Sequence, residues 1–391
     1  MDINIGIFIK LTKVLFILLS FYVISMVFVY SLPDFNLKEN VYKSSITLKN
    51  EGEYPVIAKT LSFQTRLDNF TDLKIMSQRS YNNSGIIKSS MDMNGYARYW
   101  HGYQLILKPL LSFFTYEKIR FIYNIMLSAS LIACCAILWI YSSPFNAISL
   151  MIAMCFVHVE VIGMSIQFSN VFIITLLFSY FLMIKKNENV YGISEFCIIF
   201  FIIGSVVNFV DLLTAPLVSL GIPLVCLIAT GRSNSITDLK SSIYYSMMWA
   251  AGYSITWISK WIIGSVMLDE NVFKSAVHQI FFRTMGNSQY PINREVMFDL
   301  NFTNMFGSYW SVLFILFPFI LGIVLYKRVN IFSTLTLLMI SLMPYLWYMV
   351  LSGHSQIHSW MTYRVQIITI FSSLVMYWIL LQPNRRVNTI S

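Results

Sequence analysis

The chain has 391 residues, of which 57% are hydrophobic and only 12% charged. A single soluble core cannot hide that much apolar side chain, because surface-to-volume scaling limits what folding buries, and the charged share is about half that of a soluble protein. Disorder is excluded by an aromatic content of 16%, since disordered chains are polar and poor in rings.

At about 20 residues per crossing, the apolar content fills on the order of ten transmembrane helices. The first apolar run, Ile5 to about Tyr30, is longer than a signal-peptide core, and no A-x-A-like site follows it. It reads as a retained helix, 5–30. The stretch 31–118 is polar and long enough to carry interfacial helices. Further spans are expected near 119–141, 145–160, 169–184, 193–210, 214–230, 241–266, 308–326, 331–351 and 364–382. The expected fold is therefore all-α and polytopic. It is a single membrane domain, 1–391, with a second long outer loop at 267–307 and a tail at 383–391.

Basic residues orient this map, because Lys and Arg concentrate in short cytoplasmic loops. Lys10 and Lys13 flank the first span. Lys185 and Lys186, Arg232 and Lys240, Lys327 and Arg328, and Arg385 and Arg386 occupy every second gap. Both termini are then expected in the cytoplasm, with 31–118 and 267–307 outside. The net charge of +9 is mostly this orientation signal, and no nucleic-acid signature is present. The five cysteines lie in apolar stretches without a CxxC, and read as small core residues. The histidines and most of the unusual charges fall at the outer side.

Several clusters there carry possible chemistry. Asp68 and Asp72, four apart, share a face if helical; paired carboxylates suit general-base work or a divalent metal. An N-cap or a solvated acidic face explains them as well. Tyr96-Ala97-Arg98-Tyr99-Trp100-His101-Gly102-Tyr103 interleaves aromatics with Arg98 and His101. Such a stretch suits a headgroup-level belt, and Arg98 suits phosphate. Glu160 follows His158 in a short turn, and Asp211 sits in another just before Pro216. Asp211 is a helix cap or a cavity residue.

Lys260 falls inside an apolar span, where a lysine needs a partner, a route to the interface or an anionic ligand. His354 and His358 have HxxxH spacing but lack the glutamate of a zincin helix, so no metal site is assigned. Polar contacts to a substrate, with Arg364 as a phosphate ligand, are the alternative. The sequons at Asn69 and Asn301 show no modification by themselves.

The layout resembles the GT-C superfamily of integral-membrane glycosyltransferases. The resembling features are Leu67-Asp68-Asn69-Phe70-Thr71-Asp72 early in the long loop, the apolar stretch 104–116, Glu160 in the next outer loop, and Arg98-Tyr99-Trp100-His101-Gly102-Tyr103. The last stretch also resembles uncharacterised bacterial polytopic proteins. No DxD and no WWDYG-type motif is present.

The resemblance implies inverting transfer of a sugar from a polyprenyl-phosphate donor to a glycan, lipid or protein acceptor, at the outer face of a plasma membrane. Asp72, or else Asp68, would be the base, with Glu160 a further acidic candidate. Arg98, Lys260 and Arg364 would bind phosphate; Trp100, His101, Asp211, His354 and His358 would complete the substrate site. It implies no certain cofactor beyond a possible divalent metal. On that reading Asp72→Asn abolishes transfer, and Asp72, Glu160, Asp211 and Lys260 converge on one outer cavity. A non-catalytic flippase for lipid-linked sugars, or a glycan polymerase or ligase of another fold, would use the same residue types.

Overall fold

A computed structural model describes residues 5–82, 84–93, 95–187, 192–231, 235–307 and 331–381, with isolated positions between 308 and 330. The expected span 308–326, the basic residues Arg232, Lys327, Arg328, Arg385 and Arg386, and the tail 383–391 lie outside the described residues, apart from those isolated positions. Among the described residues the chain is helical, with two isolated β-bridges and no strand.

The first helix, α1 (Ile5–Ser31), buries one face through Tyr22, Met26, Val29 and Tyr30, and leaves Phe8, Phe16, Phe21 and Phe28 exposed. The polar segment then folds into a cap. It contains α2 (Leu37–Glu51), a small loop closed by the Val56–Arg66 bridge, a π-helical turn at Thr71–Ser77, α3 (Ile86–Asp92) and α4 (Gln104–Phe113). Next come α5 (Tyr116–Tyr141), α6 (Pro144–Phe156), α7 (Val159–Met164), α8 (Ile166–Asn187), α9 (Ile193–Val210), α10 (Val218–Thr230) and α11 (Ser235–Leu268). The chain continues through α12 (Val272–Met285), α13 (Arg294–Phe306), α14 (Ile331–Val350), α15 (Ser352–Ile357), α16 (Ser359–Thr362), a 3-10 turn at Tyr363–Gln366 and α17 (Ile367–Leu381).

Among the described residues, six segments are long and apolar enough to cross a membrane: Gly6–Ser31, Tyr116–Tyr141, Ile166–Asn187, Ile193–Val210, Phe332–Val350 and Ser359–Leu381. They mark a multi-pass integral membrane protein. The helix α11 has ample length, 34 residues, but its Ser, Tyr and Trp content and Lys260 lower its hydropathy.

Two expected spans differ in form. The stretch 145–160 is broken, because His158 takes a left-handed φ of 58° and ends α6 before α7 begins. The stretch 214–230 begins late, at Val218, and its residues 218–228 are all buried. A helix apolar on every side belongs in a protein core, and α10 packs among α8, α14 and α17.

Without a hydrophobic drive between helices in lipid, close backbone approach and hydrogen bonds join them. A Cβ at Gly204 would strike the Trp249 carbonyl, and one at Gly252 the Phe201 carbonyl, so α9 and α11 cross on two glycines. The hydroxyl chain Tyr22–Ser205–Thr256, at 3.0 and 2.7 Å, then ties α1 to both. The cap is fastened to α11 by Trp100 Nε1, which donates to the Thr256 carbonyl at 2.9 Å, and by Lys260 Nζ, which donates to the Met91 carbonyl at 2.7 Å.

Candidate functional site

Between the cap and the bundle lies a cavity of about 430 Å³. Its polar lining is Arg66, Asp68, Gln167, Arg283, His354 and His358, drawn from the cap, the start of α8, α12 and α15. Rings of Tyr54, Phe70, Tyr96 and Trp360 form its walls. Tyr54 stacks on Phe70 at 6.2 Å and meets Trp360 edge-on at 5.7 Å.

Three buried polar atoms of this lining have no hydrogen-bond partner: Arg66 Nε, Arg283 Nε and Gln167 Oε1. Buried polar groups are nearly always paired, so each orphan asks for an explanation. Three converge on this one cavity, where they are open to a polar ligand. Arg66 lies over Phe63 at 4.9 Å and near Trp360 at 5.7 Å, and among the described residues no carboxylate pairs with Arg66 or Arg283. Two unpaired guanidinium groups favour an anion.

Arg283 is held in place by His354. One Arg283 terminal nitrogen donates to His354 Nδ1, and His354 Nε2 donates to the Leu213 carbonyl at 2.9 Å. The second bond fixes the tautomer that leaves Nδ1 free to accept. Burial and the Arg283 charge hold His354 well below the usual imidazole range, so it stays neutral. Gly353 permits the approach, since a side chain there would collide with the carbonyls of Phe282 and Arg283. His358, its ring 5.0 Å from that of His354, is pushed down to about 3 by burial and Arg283.

Asp68 is the carboxylate that lines the cavity. Its oxygens accept from the Thr71 backbone N–H at 2.9 Å and the Thr71 hydroxyl at 2.8 Å. Burial pushes it up to about 7, against those two bonds. Asp72 is fully buried and does not line the cavity. Its carboxylate accepts from the Tyr116 hydroxyl, from Ser165 Oγ at 2.8 Å, and from the backbone N–H groups of Ile166 and Gln167, both at 3.1 Å. It caps α8 from another part of the chain, where the helix N-terminus favours a negative charge. By doing so it sets the position of Gln167.

The other expected residues disperse. Arg364 is buried and donates to three carbonyls, those of Val157, Trp360 and Gln64. Lys260 and Trp100 fasten the cap, as described. His101 donates from Nε2 to the Tyr96 carbonyl at 2.9 Å and contacts the Tyr103 hydroxyl through Nδ1 at 2.7 Å; burial pushes it down to about 3. Asp211 accepts from the Thr214 N–H at 3.0 Å, and burial pushes it up to about 7. Glu160 is exposed and pairs with His158 at 2.9 Å. Asp72, Glu160, Asp211 and Lys260 therefore do not converge on the cavity. Both sequon amides are buried and engaged: Asn69 Nδ2 with Glu51 and the Gly52 carbonyl, Asn301 Nδ2 with the Met297 and Ser355 carbonyls.

Arg98 lines a second cavity of about 360 Å³, with an apolar wall from Trp257, Trp261, Ile280 and Val350. Arg283 lines both cavities. The sequence placed Arg283 among the charges expected at the outer face but gave it no role, and its position after Ile280-Phe281-Phe282 was the further signal; Arg66 offered only its nearness to Asp68. Among the described residues no group of three or more His, Cys, Asp and Glu is placed to hold a metal ion, and both ring nitrogens of His354 are already engaged. No protein-family model, no curated protein and no solved structure matches the chain.

Proposed function

We propose that the protein is a membrane glycosyltransferase of the GT-C kind, with about ten spans. It takes a sugar from a polyprenyl-phosphate donor and works at the capped end, which faces away from the cytoplasm. The observation that carries this reading is Arg283, shared by a polar, ring-walled cavity and an apolar one. A lipid-linked sugar phosphate has the same three parts in the same order. The prenyl chain fits the apolar cavity, the phosphate meets Arg283 and Arg66, and the sugar lies against Tyr54, Phe70 and Trp360. Lys185 and Lys186 at the far end of α8 support the orientation.

Asp68 takes the role of base in this arrangement. It accepts the proton of an acceptor hydroxyl, whose oxygen bonds to the sugar C1 as the bond from C1 to the phosphate oxygen breaks. The configuration at C1 inverts, and the polyprenyl phosphate leaves with one more negative charge. Arg66 and Arg283 offset that charge where it develops. A base that titrates near neutral pH matches its task. Gln167, with a free Oε1, suits a sugar hydroxyl.

The test is incubation of purified protein with a panel of polyprenyl-phosphate sugars, with assay for released polyprenyl phosphate. Release that depends on Asp68 supports the reading. Movement of the lipid-linked sugar across a vesicle membrane without release would replace transfer by carriage.

A further inference from the structure

We propose that α12 is a membrane-surface helix whose outward row rests on the hydrocarbon of the leaflet at the capped end, so that α12 is the wall between that leaflet and the apolar cavity. The sequence alone placed the stretch 267–307 as an outer loop, with no contact to lipid assigned. The structure presents α12 in three rows instead.

The outward row is Phe273, Val277, Phe281 and Met285, four residues apart, exposed from 37% at Phe273 to 69% at Met285. Residues at that spacing form one continuous stripe. The inward row is Val272, Ala276, Ile280 and Arg283; the first two are buried, and the last three line the apolar cavity. Beside the outward row stand Lys274 and His278, both exposed. A helix that is apolar on one side and basic beside it lies in a membrane interface.

The occupant is named by what the stripe adjoins. The turn from α11 is short: the Val272 N–H donates to Ser265 Oγ at 3.1 Å, and the Asn271 side chain caps α12 by accepting from the Lys274 N–H at 3.1 Å. The helix therefore starts at the capped end of α11 and packs on α15, just beyond α14. The exposed residues Ile258, Ile262 and Val266 of α11, and Leu346 and Val350 of α14, bring an apolar surface up to it. Trp257 and Trp261 mark the same level, both donating from Nε1 to the Arg98 carbonyl, at 2.9 and 3.2 Å. Indoles gather at the membrane–water boundary. Lys274, which has no carboxylate partner among the described residues, then meets lipid phosphates. The inference does not depend on glycosyl transfer.

The experiment uses full-length protein in lipid nanodiscs, with Cys135→Ser and Cys155→Ser to remove the accessible thiols. Val277→Cys on α12 and Glu295→Cys on α13 each receive a bimane. Brominated phospholipid should quench the probe at Val277 several-fold more than aqueous iodide does, with the reverse ranking at Glu295. Phe281→Cys repeats the measurement should the first variant not fold, and the same ranking is expected. A ratio of lipid to iodide quenching on α12 that matches the one at Glu295 overturns the proposal.

Discussion

The cavity and the layer beneath it hold the same kinds of residue and differ in one respect. In the layer beneath, three ionisable groups already have their partners: Asp72 has four donors, Arg364 three carbonyls and Lys260 the Met91 carbonyl. In the cavity, Arg66, Gln167 and Arg283 each keep a buried atom without one. A buried charge that is fully paired stiffens a fold and offers nothing to a ligand. An unpaired one is costly to the empty protein, and a ligand supplies what is missing. Asp68 and Asp72, one turn apart, stand on opposite sides of this boundary.

The largest separation is expected at those two carboxylates. Asp68→Asn removes the base and should lower the transfer rate by about 10²- to 10⁴-fold, with the thermal transition of the purified protein preserved. The pH profile of transfer shows the same group. Because burial raises the Asp68 carboxyl to about 7, it is protonated and idle below that pH, and activity should rise through it to a plateau. The stability contribution has the opposite sense: it is present below the ordinary carboxyl value of 3.8 and is lost as pH rises through about 7. An unshifted activity profile in Asp68→Asn would remove Asp68 from the chemistry.

Arg283→Gln comes next, with an expected loss of about 10²-fold in transfer, the usual scale for one stabilising donor. His354→Ala should act through Arg283. It should raise the KM for the lipid donor more than it lowers kcat, with no shift of the pH inflection, and a changed inflection would contradict a positioning role.

Asp72→Asn is expected to act on the fold. It weakens the cap of α8 and should cost about 1–3 kcal/mol of stability, read as a lowered thermal midpoint with near-normal transfer per folded molecule. Abolished transfer at an unchanged midpoint would restore Asp72 as the base, the role its resemblance suggested. The smallest effect is expected at Lys260→Met. The exchange removes the bond to the Met91 carbonyl that fastens the cap, so a loss of about 1 kcal/mol in stability is expected, with transfer close to wild type. A large loss of donor affinity there would return Lys260 to the phosphate site.

Much of the membrane architecture was legible. The span 193–210 is met residue for residue by α9, and α1, α5 and α14 fall within a few residues of expectation. Long apolar runs bounded by polar residues report themselves, because lipid leaves a backbone few choices. A turn at His158 and Glu160 was legible from their polarity, but the left-handed conformation of His158 that breaks the helix has no compositional mark. Within the site, Asp68, His354 and His358 were legible as polar residues gathered at one end of the spans, while the shared face inferred for Asp68 and Asp72 was misleading. Asp68 stands ahead of the helical turn and caps it by accepting from the Thr71 N–H, while Asp72 lies within the π-helical part, so the two do not share a helix face.

Composition and charge pattern determined the solvent, the approximate spans and the gathering of polar side chains at one end of them, because each is set by local transfer free energies along the chain. Only the tertiary structure decided which of those side chains remain unpaired. Arg66, Gln167, Arg283 and His354 come from four separate segments, and their meeting depends on packing events such as the glycine contact at Gly353 and the cap that Asp72 places on α8. Whether a buried group has a partner depends on the three-dimensional inventory of donors and acceptors around it, and spacing along the chain does not carry that inventory.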